Sequence, residues 1–588
     1  MNHHLVMEDA PAFISGLVDA ADRSIDTLVD APDGGAAALA HRPAMGRLLA
    51  MATVYTQPDS RHYLSAGLPG LMMGCVARLE YLQGPTGLFD GTNLSSPPDS
   101  AFTINDACMA LEIMDAPAGL SAGGGLAEIA TRLRAVVGRI TDALLTGGVH
   151  TPNHRWELCA ALARIHSLHQ SEGVPRPEIL QRIDQWLAEG VDQLPDGMYS
   201  ERSPLYASAV TNPSLVAIAD HANRPELLEH VRANLAAFLP WFSSDGVTES
   251  LFSRRQDQWF RFNGEAFQLL YRRLASQDGN GDFAAAAAWL RQFPLLEPAK
   301  ALARTRLDPW LHLQLPERES ALGGGELPAA MTPGHAVLSS CGIHRYREAR
   351  CVATIFGGCD DVASGVGSGL ASNPTFLRFA HGDAVLTDVR LSRSFFDLGP
   401  FRSQGVTLRG SGVRLTEDVS ANFYLPLPVD KHREDGLYAL GHEGRFSAGM
   451  DFGNRPAVEH RLATSITVIP QMAEGTVELE LGFEGAHTSF AIELTFRPGG
   501  LLSGVEEETR GQPGAYQLTT GTGEYRVGED VIEFGPGIAA DADNPPAYNP
   551  GEAYRYLAGT NATDGVKVYI TGRTSGSVRL AIRGRSVS

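Results

Sequence analysis

Hydrophobic positions along this chain follow two different periods, and the change comes once, near residues 310 to 330. Before it, apolar residues recur every three or four positions, as in LAEIATRLRAVVGRITDALL, EILQRIDQWLAEGVDQL, PELLEHVRANLAAFLPWF and FAAAAAWLRQFPLL, with Gly, Pro, Asn and Asp between the runs. That spacing predicts about ten to twelve helices joined by short loops, enough to close into a ring of antiparallel hairpins rather than a four-helix bundle. No fixed-period repeat is visible, which disfavours an open solenoid. After ESALGGGELPAAMTPG the runs become short and alternating: REARCVATIFGG, FLRFAHGDAVLTDV, LATSITVIPQM, TVELELGF, SFAIELTF, EYRVGEDVIEFG, VKVYITGR and SVRLAIRG. The predicted fold is therefore multidomain, α then β. An N-terminal incomplete (α/α) toroid over residues 1–315 is followed by a C-terminal antiparallel β-sandwich over residues 316–588.

Composition narrows the function classes. The chain has 588 residues, 43% hydrophobic and 20% charged, and a formal net charge of −20. Those values describe a globular protein without the basic footprint that nucleic acid or an anionic membrane would require. No apolar run approaches the roughly 18 residues of a membrane span, and MNHHLVMEDAPAF carries neither a basic leader nor an apolar stretch. The expected location is cytoplasmic, or periplasmic if a leader was removed. Six scattered cysteines without a CxxC pair read as reduced structural thiols.

Candidate chemistry sits at two helix starts. In TPNHRWELCAALARIHSLHQ, Thr151 reads as the N-cap and Pro152 as the first helical residue, so Asn153 and His154 fall in the first turn. There the free N–H groups and the helix dipole favour an anion and a neutral imidazole. In DGMYSERSPLYASAV, Ser203 and Pro204 repeat the device, placing Tyr206 in a first turn behind Glu201 and Arg202, with Tyr199 a rival phenol. A third stretch, SLFSRRQDQWFRFNGEAF, gathers Arg254, Arg255, Asp257, Trp259 and Arg261: a basic patch with aromatics able to stack on sugars. Trp156 reads as ring packing. Without further context, each of these segments also fits plain capping, packing or a solvated face.

The NHRW segment, followed about 45 residues later by a DGxYSExSxxY-like stretch in a helical half that precedes a β-rich half, resembles the heparinase II/III-like group of polysaccharide lyases. The resemblance implies β-elimination on a uronic-acid-containing glycan. It implies catalytic roles for Asn153 (neutralising the uronate carboxylate), His154 (a base or second neutraliser) and Tyr206 (the acid), and substrate contacts for Glu201, Arg202, Arg254, Arg255, Asp257, Trp259, Asn373 and His381. The histidine-rich GHGHxD-type stretch of the family is replaced here by GVGSGLASNPTFLRFAHGDAVLTD, with Ser372 and Asn373 in place of the histidines and His381 further on. Arg390 and Arg393 are alternatives for lining the cleft from the sandwich. No cofactor is required, and neither a structural zinc nor calcium is supported. QDGNGDF lacks the distal glutamate of a calcium loop, and Asp282 reads as an N-cap. Two alternatives stay open: an inverting glycoside hydrolase using carboxylates such as Glu201, Asp257, Glu249, Asp196 or Glu265, and a non-catalytic glycan-binding protein.

Overall fold

The computed structural model describes residues 10–29, 36–89, 94–120, 124–316, 334–360, 373–396, 398–443, 447–507, 514–538 and 563–587. They fall into two compact units. One holds the described residues up to Thr248 and from Phe262 to the last helix; the other holds Glu249–Arg261 and the described residues from Gly334 onward.

Among the described residues of the helical unit, twelve helices have ten residues or more: α1 Ala10–Val29, α2 His41–Tyr55, α3 Leu68–Leu82, α4 Pro97–Asp115, α5 Gly124–Thr146, α6 Pro152–Ser171, α7 Pro177–Leu187, α8 Asn212–His221, α9 Leu227–Phe238, α10 Gln268–Asp278, α11 Gly281–Leu290 and α12 Pro298–Leu307. The even-numbered helices form an inner layer that packs in continuous succession from α12 through α2, α4 and α6 to α8. Each odd-numbered helix covers an even one from outside: α3 on α2, α5 on α4, α7 on α6, α9 on α8, α11 on α10 and α1 on α12. The result is the expected (α/α) toroid, with α10 tied to α8 by the Arg273–Asp220 ion pair.

Composition sorts the two layers. α6 buries residues on every face, from Asn153 through Trp156, Leu158, Ala161 and Ile165, and does so with small side chains that admit neighbours all round. α7 buries only Ile179 and Ile183, one stripe spaced by four. A helix apolar on all sides belongs inside and an amphipathic one outside.

Some polar groups of the inner layer are paired across helices. Glu157 accepts from Asn105 Nδ2 at 2.8 Å and Ser214 Oγ at 3.0 Å, tying α4, α6 and α8 together, while burial raises its pKa. His221, which ends α8, accepts from Arg164 through Nε2 at 3.1 Å and donates from Nδ1 to Ser167 Oγ at 3.0 Å. Burial first, then the guanidiniums of Arg164 and Arg273, push its pKa down to about 3. Below about pH 6.5 the unfolded chain binds a proton here that the folded chain refuses, so stability present above that pH is lost as pH falls. The expected loss is about 2 kcal/mol at pH 5. Thermal unfolding of the protein and of His221→Gln between pH 7.5 and 5 checks this: the variant's midpoint should fall less steeply.

The second unit is a sandwich of an eight-stranded and a nine-stranded sheet. The larger runs from Gly334–Leu338 at one edge through Ile343–Glu348, Cys351–Phe356, Leu377–His381, Ala384–Arg393 and Ser489–Phe496 to Val566–Arg573 and beyond. The smaller centres on Ala457–Gln471, Thr476–Gly485 and Ser577–Ser586. Leu377, Leu391, Ile466, Leu479, Ile492 and Ile582 fill the core from both inner faces, as period-two alternation requires. Among the described residues pairing is antiparallel except where Tyr516–Gln517 runs parallel to Val566–Arg573.

Two local expectations need correction. Thr151 occupies the cap position with extended backbone, but its hydroxyl makes no cap bond and instead donates to Asn153 Oδ1 at 3.3 Å. Before α11 the cap is Asn280, whose Oδ1 accepts from Asp282 N and Phe283 N at 3.0 and 3.1 Å. Asp282 lies inside the first turn, because Gly279 ends α10 in the left-handed region and leaves Asn280 extended.

Candidate active site

The N-terminal turns of the inner helices α2, α4 and α6 meet at one rim, Arg42 lying over Phe102 and Phe102 meeting His154. Asn153 is fully buried at the second position of α6. Its Nδ2 donates to both carboxylate oxygens of Glu201, at 2.9 and 2.8 Å, while its Oδ1 accepts from Thr151. Opposite demands on its two ends thus fix which way the amide faces. His154, half-buried on the next position, meets the His150 ring edge-on at 4.7 Å and the Phe102 ring of α4 at 6.1 Å. Arg42, on the first turn of α2, lies 3.8 Å over Phe102 and pairs with Asp99. Asp99 is also held by His41 Nε2 at 3.1 Å, and His41 Nδ1 meets Thr103 Oγ1 at 2.7 Å.

The Glu201–Tyr206 loop is built to a defined shape. Ser203 Oγ accepts from Tyr206 N at 3.0 Å, the cap expected from Ser-Pro. Arg202 sits at φ +53°, a left-handed backbone conformation that costs a non-glycine residue energy and persists only under constraint. The predicted helix does not simply continue: Pro204–Tyr206 is one turn, Ala207–Thr211 is π-helical, and α8 follows. Such insertions concentrate at functional sites. A buried amide chain anchors the loop from behind. Tyr199 donates to Asn212 Oδ1 at 2.7 Å, Asn212 to Asn234 Oδ1 at 2.8 Å, and Asn234 to Gly197 O at 3.1 Å. Tyr199 is 4% exposed, and burial, helped by Asp192, carries its pKa well above the ordinary phenol value. Its hydroxyl is therefore a structural donor. Tyr206 is the half-buried phenol of the loop. Trp156 is fully buried, its indole donating to Asp192 Oδ1 at 3.0 Å.

So Asn153, Glu201 and His154 come together at one rim with Arg202 and Tyr206 on the adjoining loop. Sequence reasoning missed His41, Arg42, Asp99, Phe102 and His150 there. Their signal was available: His41 and Asp99 also open inner helices, and His150 lies four residues before His154. A hollow lined by Phe13, Leu17, Arg291 and Phe293 contains none of the predicted site residues.

Most of the remaining predicted residues belong to the β unit. Arg254 is bound by Asp360 through Nε at 2.7 Å and a terminal nitrogen at 2.6 Å. Arg255 is half-buried, and fully buried Asp257 accepts from Ser253 Oγ at 2.5 Å. Trp259 closes a short helical turn, Gln256–Trp259. Glu249 accepts from Arg345 at 2.9 Å, from Arg378, and from the N–H groups of Ser250 and Leu251 at 3.0 Å. Burial alone would raise its pKa, but the two guanidiniums and the N–H groups hold it low. It is a structural ion, unsuited to the acid role a hydrolase would ask of it. Glu265, in the helical unit, accepts from Leu296 N at 3.0 Å, and burial raises its pKa.

Asn373 is 3% exposed, its Oδ1 accepting from Thr375 N at 3.0 Å. His381 is wedged between the two sheets, Nδ1 3.1 Å from Cys351 Sγ and Nε2 3.0 Å from Ser586 Oγ; burial lowers its pKa against the opposing pull of Asp530. Arg393 donates to Thr464 Oγ1 of the opposite sheet at 2.9 Å, inside the sandwich, whereas buried Arg390 alternates with core Val389 and Leu391, so it lies on the other face of its sheet, where it donates to Thr375 Oγ1 at 3.0 Å. Ser372 and the glycine runs GVGSG and GGGEL lie outside the described residues. Among the described residues no three His, Cys, Asp or Glu side chains are grouped to hold a metal ion, and no helix is long and apolar enough to cross a membrane.

No protein-family model matches the chain, and no curated protein sequence matches it. Solved structures do. Heparinase III superposes with a TM-score of 0.52 at 11% identity, covering 92% of this chain and 76% of that one. The chondroitin AC lyase of Streptomyces coelicolor A3, solved with chondroitin sulphate, gives 0.51 at 14% identity, covering 99% and 80%. This protein therefore has the α-toroid plus β-sandwich fold of those two polysaccharide lyases.

Proposed function

We propose that this protein is a lyase that cleaves a uronic-acid-containing glycan by β-elimination at the rim formed by α6 and the Glu201–Tyr206 loop. One observation carries the reading: an amide of fixed orientation, Asn153, stands beside an imidazole, His154, at the positive end of a buried helix, with a cap-positioned phenol, Tyr206, on the loop bonded to that amide. The C5 proton of a uronate is weakly acidic while the neighbouring carboxylate is ionised. A hydrogen-bond donor at the carboxylate stabilises the charge that develops when that proton leaves. In this reading Asn153 supplies the donor, His154 takes the C5 proton or assists at the carboxylate, and Tyr206 protonates O4 as the C4–O4 bond breaks. The fold shared with two polysaccharide lyases supports the coarser reading of a glycan lyase.

Product analysis on uronan oligosaccharides tests it. Elimination forms a C4=C5 double bond conjugated to the carboxylate that absorbs at short ultraviolet wavelengths, and the product masses sum to that of the substrate. Hydrolysis adds the mass of one water and no absorbance, and that outcome would move the assignment to a hydrolase. Binding without cleavage would leave a glycan-binding protein.

A further inference from the structure

We infer that the substrate of this elimination is an unsulfated uronan, a chain whose only anions are its carboxylates; the inference rests on the lyase reading above. Sulfate groups are recognised by guanidinium and ammonium groups able to turn their donors toward the ligand. Among the described residues of the candidate rim, Arg42 and Arg155 are paired with carboxylates of the protein. Arg42 pairs with Asp99. Arg155 pairs with Glu189 at 2.8 Å and Asp192 at 3.4 Å, and its guanidinium lies 4.2 Å over the Trp156 ring. Arg202 is 8% exposed. Within the arginine-rich stretch that sequence marked as a polyanion contact, Arg254 is matched by Asp360, and Arg345 and Arg378 hold Glu249.

In the lyase reading the donor to the substrate is instead the neutral Asn153 amide, which a uronate carboxylate would share with Glu201. An amide with an imidazole beside it suits one carboxylate per sugar. Glu201, 2.8 Å from that amide, makes any further anion nearby a like-charge neighbour. At longer range the net charge of −20 acts in the same sense, opposing approach more strongly as the ligand's charge density rises.

The test uses matched pairs in which backbone and linkage are constant and only sulfation differs, such as chondroitin and chondroitin sulfate, together with the unsulfated uronans glucuronan and alginate. Initial rates of unsaturated-product formation give kcat/KM for each. The expected result is a preference of roughly tenfold or more for the unsulfated member of a pair, narrowing as salt rises from low to physiological strength because the penalty is electrostatic. Equal or faster cleavage of the sulfated member overturns the inference and leaves the lyase reading intact. Absence of unsaturated product from every substrate, sulfated and unsulfated, overturns the lyase reading itself.

Discussion

Replacing Tyr206 with phenylalanine is expected to lower the turnover of uronan elimination by ~10²–10⁴, the usual contribution of a positioned general acid or base, with little change in substrate affinity. The phenyl ring and the Ser203 cap on the residue 206 backbone are retained, so the loop keeps its shape and only the proton donor is lost. Initial rates of product absorbance and calorimetric binding of the same oligosaccharide separate the two effects. Tyr199→Phe is the contrasting case. Its hydroxyl is a buried donor to Asn212, so its removal should cost about 1–3 kcal/mol by stranding that acceptor, with turnover preserved. Full activity in Tyr206→Phe would assign the acid to another group.

Asn153→Ala is expected to lower turnover by ~10²–10³, the effect of removing one donor aimed at developing negative charge. It should also destabilise the helical unit by about 1–3 kcal/mol, because Glu201 would keep its buried carboxylate and lose both amide contacts. The two consequences have different signatures. The stability loss appears as a lower unfolding midpoint, whereas the catalytic loss persists at temperatures where the variant is fully folded. If activity recovers completely once the variant is folded, Asn153 positions the loop and takes no part in the chemistry.

Much of the architecture was legible along the chain, since local signals report on local structure. The runs beginning LAEIATRL, EILQRIDQ, PELLEHVR and FAAAAAWL are all helices, and the eight quoted alternating runs are all strands. Ser203-Pro204 makes its cap as written. Where capping failed to be legible, a neighbour outbid the expected partner: the Thr151 hydroxyl turns to the Asn153 amide, and Asn280 takes the cap that Asp282 seemed placed to supply. The π-helical turn after Tyr206 had no periodic signature, because one inserted residue barely alters the spacing of apolar positions.

The sequence by itself determined the two periods, the inner and outer character of individual helices, and the presence of an amide, an imidazole and a phenol at helix starts. Hydrophobic spacing and Pro-directed capping act within a few residues and need no partner to be read. Only the tertiary structure decided which side chains meet: Glu201 reaches Asn153 across 48 residues and Asp360 takes Arg254 across 106. A charged or amide group is satisfied by whichever complementary group the fold brings within about 3 Å, and no local pattern encodes that partner. For the same reason the 249–261 stretch, which read as an open basic patch, belongs to the β unit, where Arg254 is paired with Asp360 and Glu249 with Arg345.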